Sequence, residues 1–370
     1  MRHDKEPAMS AVTAAPAALQ ATLDVCLEDL ENRIDEPTED QLRSEWRTFC
    51  DLKWTEPVFA PARRRKAPPS VEWPSLRVNE TLDDFDRMAL QQLKGCSDTL
   101  DRGSGNPLTV RSNYGTPIMA LLFGAELFVM PDDLNTLPGN RPVPGGIDGI
   151  RRMLDRGAPS LDHPYLQKVY EMGRRFMSIK ARYPKIGRHV HVYHPDLQGP
   201  MDILEMVWGS EMFPYLYEEP GLVHDALKLI AETYIRVLRG WAQIAPLSID
   251  GLAPHWGLWH KGAVMLRDDS AMNLSPAMFD EFIRPYDQRI LDEFGGGAIH
   301  ACGRVDHYIA SLASMRGMNG FNMSQPHLND MEKVYTNTVD RGVVLLALDR
   351  RAADAALGAG RNLRGRVQCA

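Results

Sequence analysis

The sequence contains few cysteines, and this scarcity bears on both redox chemistry and metal binding. Five cysteines occur among 370 residues, spread over the whole chain: Cys26, Cys50, Cys96, Cys302 and Cys369. An odd, scattered set of this kind is not the disulfide framework of a small secreted domain. A cysteine with a special role is therefore expected to be a metal ligand or a nucleophile. The first three lie in amphipathic helical patterns and are expected to be small buried hydrophobes.

Three further absences exclude whole classes of protein. No apolar run approaches the roughly 18 residues that span a bilayer, so we expect no membrane segment. The net charge of −7 argues against binding to nucleic acid. The stretch "MRHDKEPAMSAV" is charged and lacks the apolar core of a secretory signal, which predicts a cytoplasmic protein.

The N-terminal part of the chain differs in composition from the rest. Residues 8–56 have the pattern of two helices, and the second is expected to open at Thr38, with Gln41 completing a capping box. The connector that follows, "TEPVFAPARRRKAPPSVEWP", contains five prolines. Its basic run, residues 63–66, is either an anion site or a solvated loop. We predict an N-terminal helical extension and connector over residues 1–74 and a second domain over residues 75–370.

Strand and helix patterns alternate through the second domain, most regularly in the last quarter. The strands "GAIHAC", "MNGFNMS" and "VVLLALD" are each followed by a helical pattern, and "LRGRVQC" is a last short extended piece. Such alternation predicts parallel βα units. The domain of about 290 residues fits an eightfold βα barrel of the TIM type. A doubly wound sheet is the alternative, and the absence of a G-x-G-x-x-G turn disfavours it.

The stretch "GGGAIHACG" presents two metal-binding side chains together. His300 and Cys302 are two residues apart in a predicted strand, so they face the same side. They lie at its carboxyl end, where barrel enzymes build their active sites. Imidazole and thiolate are ligands that zinc prefers. An H-x-C triplet alone is also found at ordinary strand ends, so a third ligand is required. Later strand ends offer these candidates: Asn322, Gln325, Asp349 and Cys369.

Other clusters of polar and aromatic residues are candidates for contacts with a substrate. The stretch "APHWGLWHKG" contains His255, Trp256 and Trp259, which either line a pocket for a flat ligand or pack in the interior. Asn113 and Tyr114 follow a predicted strand, a position that often contacts substrate in barrels.

Two more motifs have both a functional and a structural interpretation. Asp268 and Asp269, in "RDDS", either hold a cation or orient His300, or they form a turn. His189 and His191, in "RHVHVYH", would share one face of a strand, which is either a binding face or an exposed surface.

Several of these stretches together resemble the uroporphyrinogen decarboxylase superfamily, and most closely its zinc- and corrinoid-dependent methyltransferase branch. The similarity runs from about residue 75 to the end and includes "VRSNYGTPIMALLFGAE", "GPMDILEMVWGSE", "LSPAMFDEFIRPYDQRI" and "GGGAIHACG". The resemblance implies a zinc ion bound by His300, Cys302 and a later cysteine, which by order of elements is Cys369. It also implies methyl transfer between a corrinoid, free as methylcobalamin or carried by a partner protein, and a thiol or related acceptor.

The resemblance also defines the alternatives. A decarboxylase-like lyase acting on a tetrapyrrole or another polycarboxylate is the second hypothesis, although residues 1–110 lack the arginine motif of that branch, an Arg followed after two further residues by Gly-Arg-Tyr. A barrel that binds a corrinoid or tetrapyrrole without turnover is the third. In the leading hypothesis His300, Cys302 and Asp349 are catalytic. Asn322 and Gln325 join the predicted substrate-binding residues.

Overall fold

The described chain, residues 16–369 of a computed structural model with side chains from residue 19, mixes helices with short strands. The helices are α1 Pro16–Arg33, α2 Glu36–Cys50, α3 Val78–Thr81, α4 Phe85–Arg102, α5 Ile118–Leu122, α6 Gly146–Arg156, α7 Pro164–Arg182, α8 Pro184–His189, α9 Pro200–Trp208, α10 Tyr215–Glu218, α11 Pro220–Ala242, α12 Pro276–Met278, α13 Arg284–Phe294, α14 Ile309–Ala313, α15 Met331–Asn337 and α16 Arg350–Gly358. The strands are β1 Leu108–Val110, β2 Glu126–Phe128, β3 Gly139–Arg141, β4 Val190–Val192, β5 Leu252–His255, β6 Leu258–Lys261, β7 Val264–Arg267, β8 Gly297–Ala301, β9 Met318–Met323 and β10 Val344–Leu346. Within residues 16–369, no helix combines the length and the apolar composition that a membrane crossing requires.

The cap of α2 differs from the sequence-based expectation. Asp35, in extended conformation, accepts the backbone N–H of Thr38 at 3.3 Å, so the helix begins at Glu36. Pro37 fits the first turn because that turn leaves its backbone N–H groups unpaired. The prediction of Thr38 as the cap was wrong, because an aspartate three residues earlier takes that role. The predicted start of the first helix at residue 8 lies outside the described residues.

The strands form two parallel sheets and two antiparallel hairpins. The larger sheet has the order β10-β9-β8-β7, and β1 pairs with β4 in parallel. The hairpins are β2-β3 and β5-β6. The predicted parallel βα units of the last quarter are thus confirmed. The last extended piece contributes single bridges, from Val367 to Leu345 and from Gln368 to Phe59.

The two faces of the larger sheet pack against different hydrophobic clusters. Successive side chains of a strand point to opposite faces, which separates the two sets. The inner cluster contains Met265, Ala298, Val344 and Leu346 from the strands, with Trp46 and Phe49 of α2 and Leu258 and Trp259 of β6. The outer cluster joins Val264, Leu266, Ile299, Phe321 and Leu345 to the helices. The inner face of the sheet is therefore covered by α2 and the β5-β6 hairpin.

Gly297, the first residue of β8, is required by the close approach of β7. A Cβ atom at this position would lie 1.9 Å from the carbonyl oxygen of Val264, its partner in the ladder. We expect Gly297→Ala to lower the free energy of unfolding by about 3 kcal/mol or more, because the backbone must separate. Urea denaturation followed by circular dichroism measures the change.

Gly95 provides the control for this substitution. It lies in α4, and a Cβ there meets no atom within 4 Å. Gly95→Ala is expected to stabilise the protein by roughly 0.5–1 kcal/mol, because alanine restricts the unfolded chain and favours the helix. Equal unfolding midpoints for the two variants would contradict the packing argument.

Candidate functional site

The carboxyl ends of β7 and β8 bring three potential metal ligands together. His300 is in β8, Cys302 follows that strand, and Asp269 follows β7. One carboxylate oxygen, one imidazole nitrogen and the cysteine sulfur all lie within 4.8 Å of one another. In the part of the chain that the structure describes, this is the one group of its kind. Gly303, with a φ of 74°, then turns the chain away from the strand.

The spacing within this group matches that of a tetrahedral metal site. Nε2 of His300 lies 3.3 Å from Sγ of Cys302 and 3.6 Å from Oδ1 of Asp269. Zinc bonds of about 2.0–2.3 Å in tetrahedral geometry separate ligand atoms by about 3.3–3.8 Å. All three residues are half-buried, so the group is open to solvent on one side. Nitrogen, sulfur and carboxylate oxygen are donors that zinc accepts, and the residues therefore fit this metal.

Asn322 determines which nitrogen of His300 faces the group. Its Oδ1 lies 2.6 Å from Nδ1 of His300, and its Nδ2 donates to the carbonyl oxygen of Leu346 at 2.8 Å. An amide oxygen only accepts, so Nδ1 is assigned the proton and Nε2 keeps its lone pair for a metal. Such partners orient metal-binding histidines in proteins. Asn322, predicted to bind substrate, lies where it positions His300.

The turn after β7 is anchored on both sides. Oδ1 of Asp269 accepts the backbone N–H of Cys302 at 2.7 Å. Asp202 of α9 accepts the N–H groups of Asp269 and Ser270 at 2.9 and 2.8 Å. Sequence reasoning offered Asp269 as a cation ligand or a turn residue, and the structure places it in a turn, within 4.8 Å of the ligand atoms of His300 and Cys302. The part played by Asp202 was missed, because nothing in the sequence of α9 relates it to a turn 67 residues away.

The surroundings of Cys302 favour its neutral thiol in the absence of a cation. Burial raises the pKa of Cys302, and the negative charge of Asp269 raises it further, whereas a hydrogen bond with Ser324 lowers it. A bound cation reverses this balance by stabilising the thiolate. Gln325 accepts the backbone N–H of Gly303 at 2.6 Å, so this predicted substrate-binding residue holds the turn after Cys302.

Cys369 and Asp349 lie outside the group of three ligands. Cys369 is buried, its backbone N–H donates to the carbonyl oxygen of Phe59 at 2.9 Å, and burial raises the pKa of its thiol to about 11. The carboxylate of Asp349 accepts backbone N–H groups at the start of α16, which makes it a helix cap. The third potential ligand beside His300 and Cys302 is therefore Asp269.

The β5-β6 hairpin carries Trp256 to His300. Trp256 and Gly257 form its two-residue turn, with φ angles of 49° and 71°. The indole meets the imidazole of His300 edge to face, with ring centres 5.1 Å apart. The Arg267 guanidinium lies 4.6 Å from the centre of the same indole. A tryptophan in the left-handed region is strained, which is a common property of residues at functional sites.

The other two predicted residues of this hairpin, His255 and Trp259, lie in different surroundings. His255 is fully buried, and its Nε2 lies 2.6 Å from Nη2 of Arg267. Burial, together with the charge of Arg267, holds the pKa of His255 well below its usual value, so the ring is neutral. Trp259 instead packs against His191, with ring centres 4.6 Å apart, and lies beneath Arg43.

A buried ionic network connects Asn113 to Arg267. Asn113 accepts from Nε of Arg111 at 2.9 Å, and both Arg111 and Arg267 pair with Asp196, at 2.8 and 2.7 Å. The arginines hold the pKa of Asp196 below its usual value although burial opposes this. Tyr114 is buried in the hydrophobic core and is not part of this network. The roles of Asn113, Tyr114, His255 and Trp256 in substrate binding stay predictions.

Sequence reasoning missed Arg111, Asp196 and Arg267. A signal was present for Arg267, because a single arginine interrupts the apolar strand "AVML" just before "DDS". A charge in an otherwise buried strand requires a partner. That partner, Asp196, is 71 residues away in the chain and was not identifiable from the pattern.

Comparisons with known proteins identify the fold and no family. No protein-family model matches the sequence, and no curated protein matches it. Among solved structures, a methyltransferase from Methanosarcina mazei superposes with a TM-score of 0.56 at 15% sequence identity. The superposition covers 94% of this chain and 92% of that chain. The chain therefore shares the overall mixed α/β fold of that enzyme along nearly its whole length.

The orientation of His300 by Asn322 leads to a prediction about metal affinity. Asn322→Ala is expected to weaken zinc binding about 10–100-fold, because the imidazole loses the acceptor that selects its tautomer and orientation. Competition with a chromophoric chelator measures the affinity. Asn319→Ala is the control, since Asn319 is in the same strand and donates to the carbonyl oxygen of Gly317. If the two variants bind zinc equally well, Asn322 does not position His300.

Proposed function

We propose that the protein is a zinc-dependent methyltransferase of the uroporphyrinogen decarboxylase superfamily. It would move a methyl group between a corrinoid, free or on a partner protein, and a thiol or related acceptor. The observation that carries the proposal is the group formed by Asp269, His300 and Cys302 at the strand ends. The motif resemblance and the fold shared with a methyltransferase support it.

Each residue of the site would have a separate role in such a reaction. His300, Cys302 and Asp269 would hold the zinc ion, which supplies the Lewis acidity that lowers the pKa of a substrate thiol. Asn322 keeps the proton on Nδ1 of His300, and Trp256 covers one side of the imidazole. In the transfer, the thiol of the acceptor would lose its proton to solvent and its sulfur would bond to the methyl carbon. The corrinoid would supply that methyl group and keep both electrons of the broken bond.

We also infer that the strands belong to a closed eightfold βα barrel. The two separate hydrophobic clusters on the opposite faces of the larger sheet support this architecture, because a barrel has one core inside its strands and another between its strands and helices. Nε2 of His194, just after β4, accepts the backbone N–H of Met265 in β7 at 3.1 Å, which relates the two parallel sheets. Beyond β10, Val367 forms a parallel bridge with Leu345 of that strand, and the next residue, Gln368, forms one with Phe59. Backbone pairing therefore continues past the edge of the larger sheet.

An assay of methyl transfer tests the proposed function. Zinc-loaded protein is incubated without oxygen with methylcobalamin and 2-mercaptoethanol, and the loss of methylcobalamin absorbance is followed together with formation of the methyl thioether. We expect turnover that stops when the metal is removed with a chelator. Equal rates with and without metal would contradict the proposal. Release of carbon dioxide from a porphyrinogen by metal-free protein would support the lyase alternative instead.

A further inference from the structure

A surface cavity lies between α6, the loop after α5 and the segment after β3. Its volume is about 300 Å³, at the lower end of the range for small-molecule pockets. Four exposed residues of its lining are Gly124, Pro144, Arg152 and Arg156. The lining also includes three apolar side chains that are at most 8% exposed, namely Leu122, Phe123 and Val143. The accessible wall therefore consists mainly of backbone and of two arginines, and none of these residues belongs to the candidate metal centre.

The two arginines have no acidic partner. Among the described residues, neither Arg152 nor Arg156 forms an ion pair, and no acidic residue lines the cavity. Arg151 of the same helix, in contrast, pairs with Asp148 and Glu219, at 3.2 and 2.7 Å. Acidic partners are abundant in this chain, which has 49 acidic and 42 basic residues. The cavity therefore carries two positive charges that the protein does not neutralise.

A backbone carbonyl group holds each guanidinium in place. Nη2 of Arg152 donates to the carbonyl oxygen of Pro144 at 3.0 Å, and Nη2 of Arg156 donates to that of Phe123 at 3.1 Å. Residues four apart lie on the same face of a helix, so both side chains reach the same cavity. A guanidinium has several N–H groups, and a single bond to a carbonyl oxygen leaves most of them free. Both arginines are therefore positioned and still able to donate hydrogen bonds to a ligand.

Two glycines keep the space beside these guanidinium groups open. Gly145, the residue before α6, has a φ of 94°, and a Cβ atom there would lie 2.6 Å from Nη2 of Arg152. Gly124 has a φ of 99°, and a Cβ atom there would touch Nη2 of Arg156 at 3.4 Å. Side chains that are already positioned lose little conformational freedom when a ligand binds. The backbone around the cavity thus accommodates two fixed cations.

The two arginines define the class of the ligand. The planar guanidinium binds phosphate oxygens through paired hydrogen bonds. A phosphate monoester carries a charge of about −1.5 to −2 near neutral pH, which matches two arginines, whereas a carboxylate would neutralise only one of them. We propose that this cavity binds a phosphate dianion, either free phosphate or the phosphate group of a small monoester. The site is separate from the proposed zinc centre and does not depend on the proposed methyl transfer.

Calorimetric titration of the zinc-loaded full chain with inorganic phosphate and with glycerol 3-phosphate tests this site. At pH 8 both probes are mostly dianions, and about 0.1 M sodium chloride screens weak attraction to the surface. We expect saturable binding of at least one of them, with Kd below about 1 mM, unchanged when zinc is removed with a chelator. The tighter of the two shows whether free phosphate or a monoester is preferred. If neither anion binds below 1 mM, if glycerol binds equally well, or if binding is lost with the zinc, the proposal is wrong.

Three double variants locate the binding. Arg152→Gln with Arg156→Gln is expected to weaken it at least tenfold. Arg64→Gln with Arg65→Gln removes the same charge at two exposed arginines outside this cavity, and is expected to leave Kd within about twofold of wild type.

The third double variant separates binding from folding, because both arginines of the cavity also hold backbone carbonyl groups. Arg152→Lys with Arg156→Lys keeps both charges but loses the paired donors, so a weakening of about threefold or more is expected. Circular dichroism should show this variant folded. If either variant of the cavity binds as tightly as the wild type, or if the control at Arg64 and Arg65 loses as much affinity, the assignment is overturned.

Discussion

The variant that combines His300→Ala with Cys302→Ser is expected to be purified almost free of zinc, whereas the wild type carries about one zinc ion per chain. The double variant removes two of the three donors that lie within 4.8 Å of one another. A single remaining carboxylate binds zinc weakly, because affinity depends on several ligands held in one geometry. We expect the zinc content to fall at least tenfold, measured by mass spectrometry of metals after dialysis.

Two controls separate loss of the site from loss of the fold. His327→Ala removes an exposed histidine, and Cys26→Ser changes a buried cysteine of α1. Both are expected to retain the zinc of the wild type, and circular dichroism should show the double variant folded. Wild-type protein without zinc, or a double variant with as much zinc as the wild type, would show that this group is not a metal site.

The second large effect on zinc affinity is expected when Asp269, the third proposed ligand, is changed. Asp269→Asn replaces an anionic donor by a neutral amide of the same shape, which still accepts the backbone N–H of Cys302. We expect zinc affinity to fall on the order of 100-fold. Removing the negative charge of a direct ligand is expected to reduce affinity more than removing a residue that only orients a ligand. A chelator competition measures it at constant ionic strength.

Cys369→Ser is the matched test of the alternative third ligand. Cys369 is buried beside Phe59 and is not within reach of the other two donors, so the substitution is expected to leave zinc affinity within about twofold of wild type. A large loss for Cys369→Ser together with no loss for Asp269→Asn would reverse the assignment. The third ligand would then be Cys369, as the family resemblance implies.

Local patterns were sufficient for elements whose signals lie within a few residues. Ser275 followed by Pro276 is a local pattern that opens a helix, and Ser275 does accept the backbone N–H of Met278 at 3.3 Å. The strands of the last quarter were also located correctly. His189 and His191, in contrast, do not share a strand face, since His189 ends α8, and both side chains are buried.

The β5-β6 hairpin shows why other elements were not predicted. Two-residue hairpin turns with positive φ angles usually contain asparagine or glycine. Here Trp256 occupies the first position of the turn, and such a residue gives no turn signal. The surrounding interior holds the strained conformation in place, with Arg267 over the indole and His300 at its edge. Contacts distant in sequence therefore outweighed the local preference of the tryptophan.

The sequence alone was sufficient to predict that His300 and Cys302 lie side by side, because alternate residues of a strand face the same side. Only the tertiary structure decided which residues complete the site. The parallel registers of β7 with β8 and β8 with β9 place Arg267 and Asn322 on either side of His300. They also bring the turn with Asp269 to Cys302, 33 residues later. Register depends on packing between distant segments, and no periodicity within one strand encodes it.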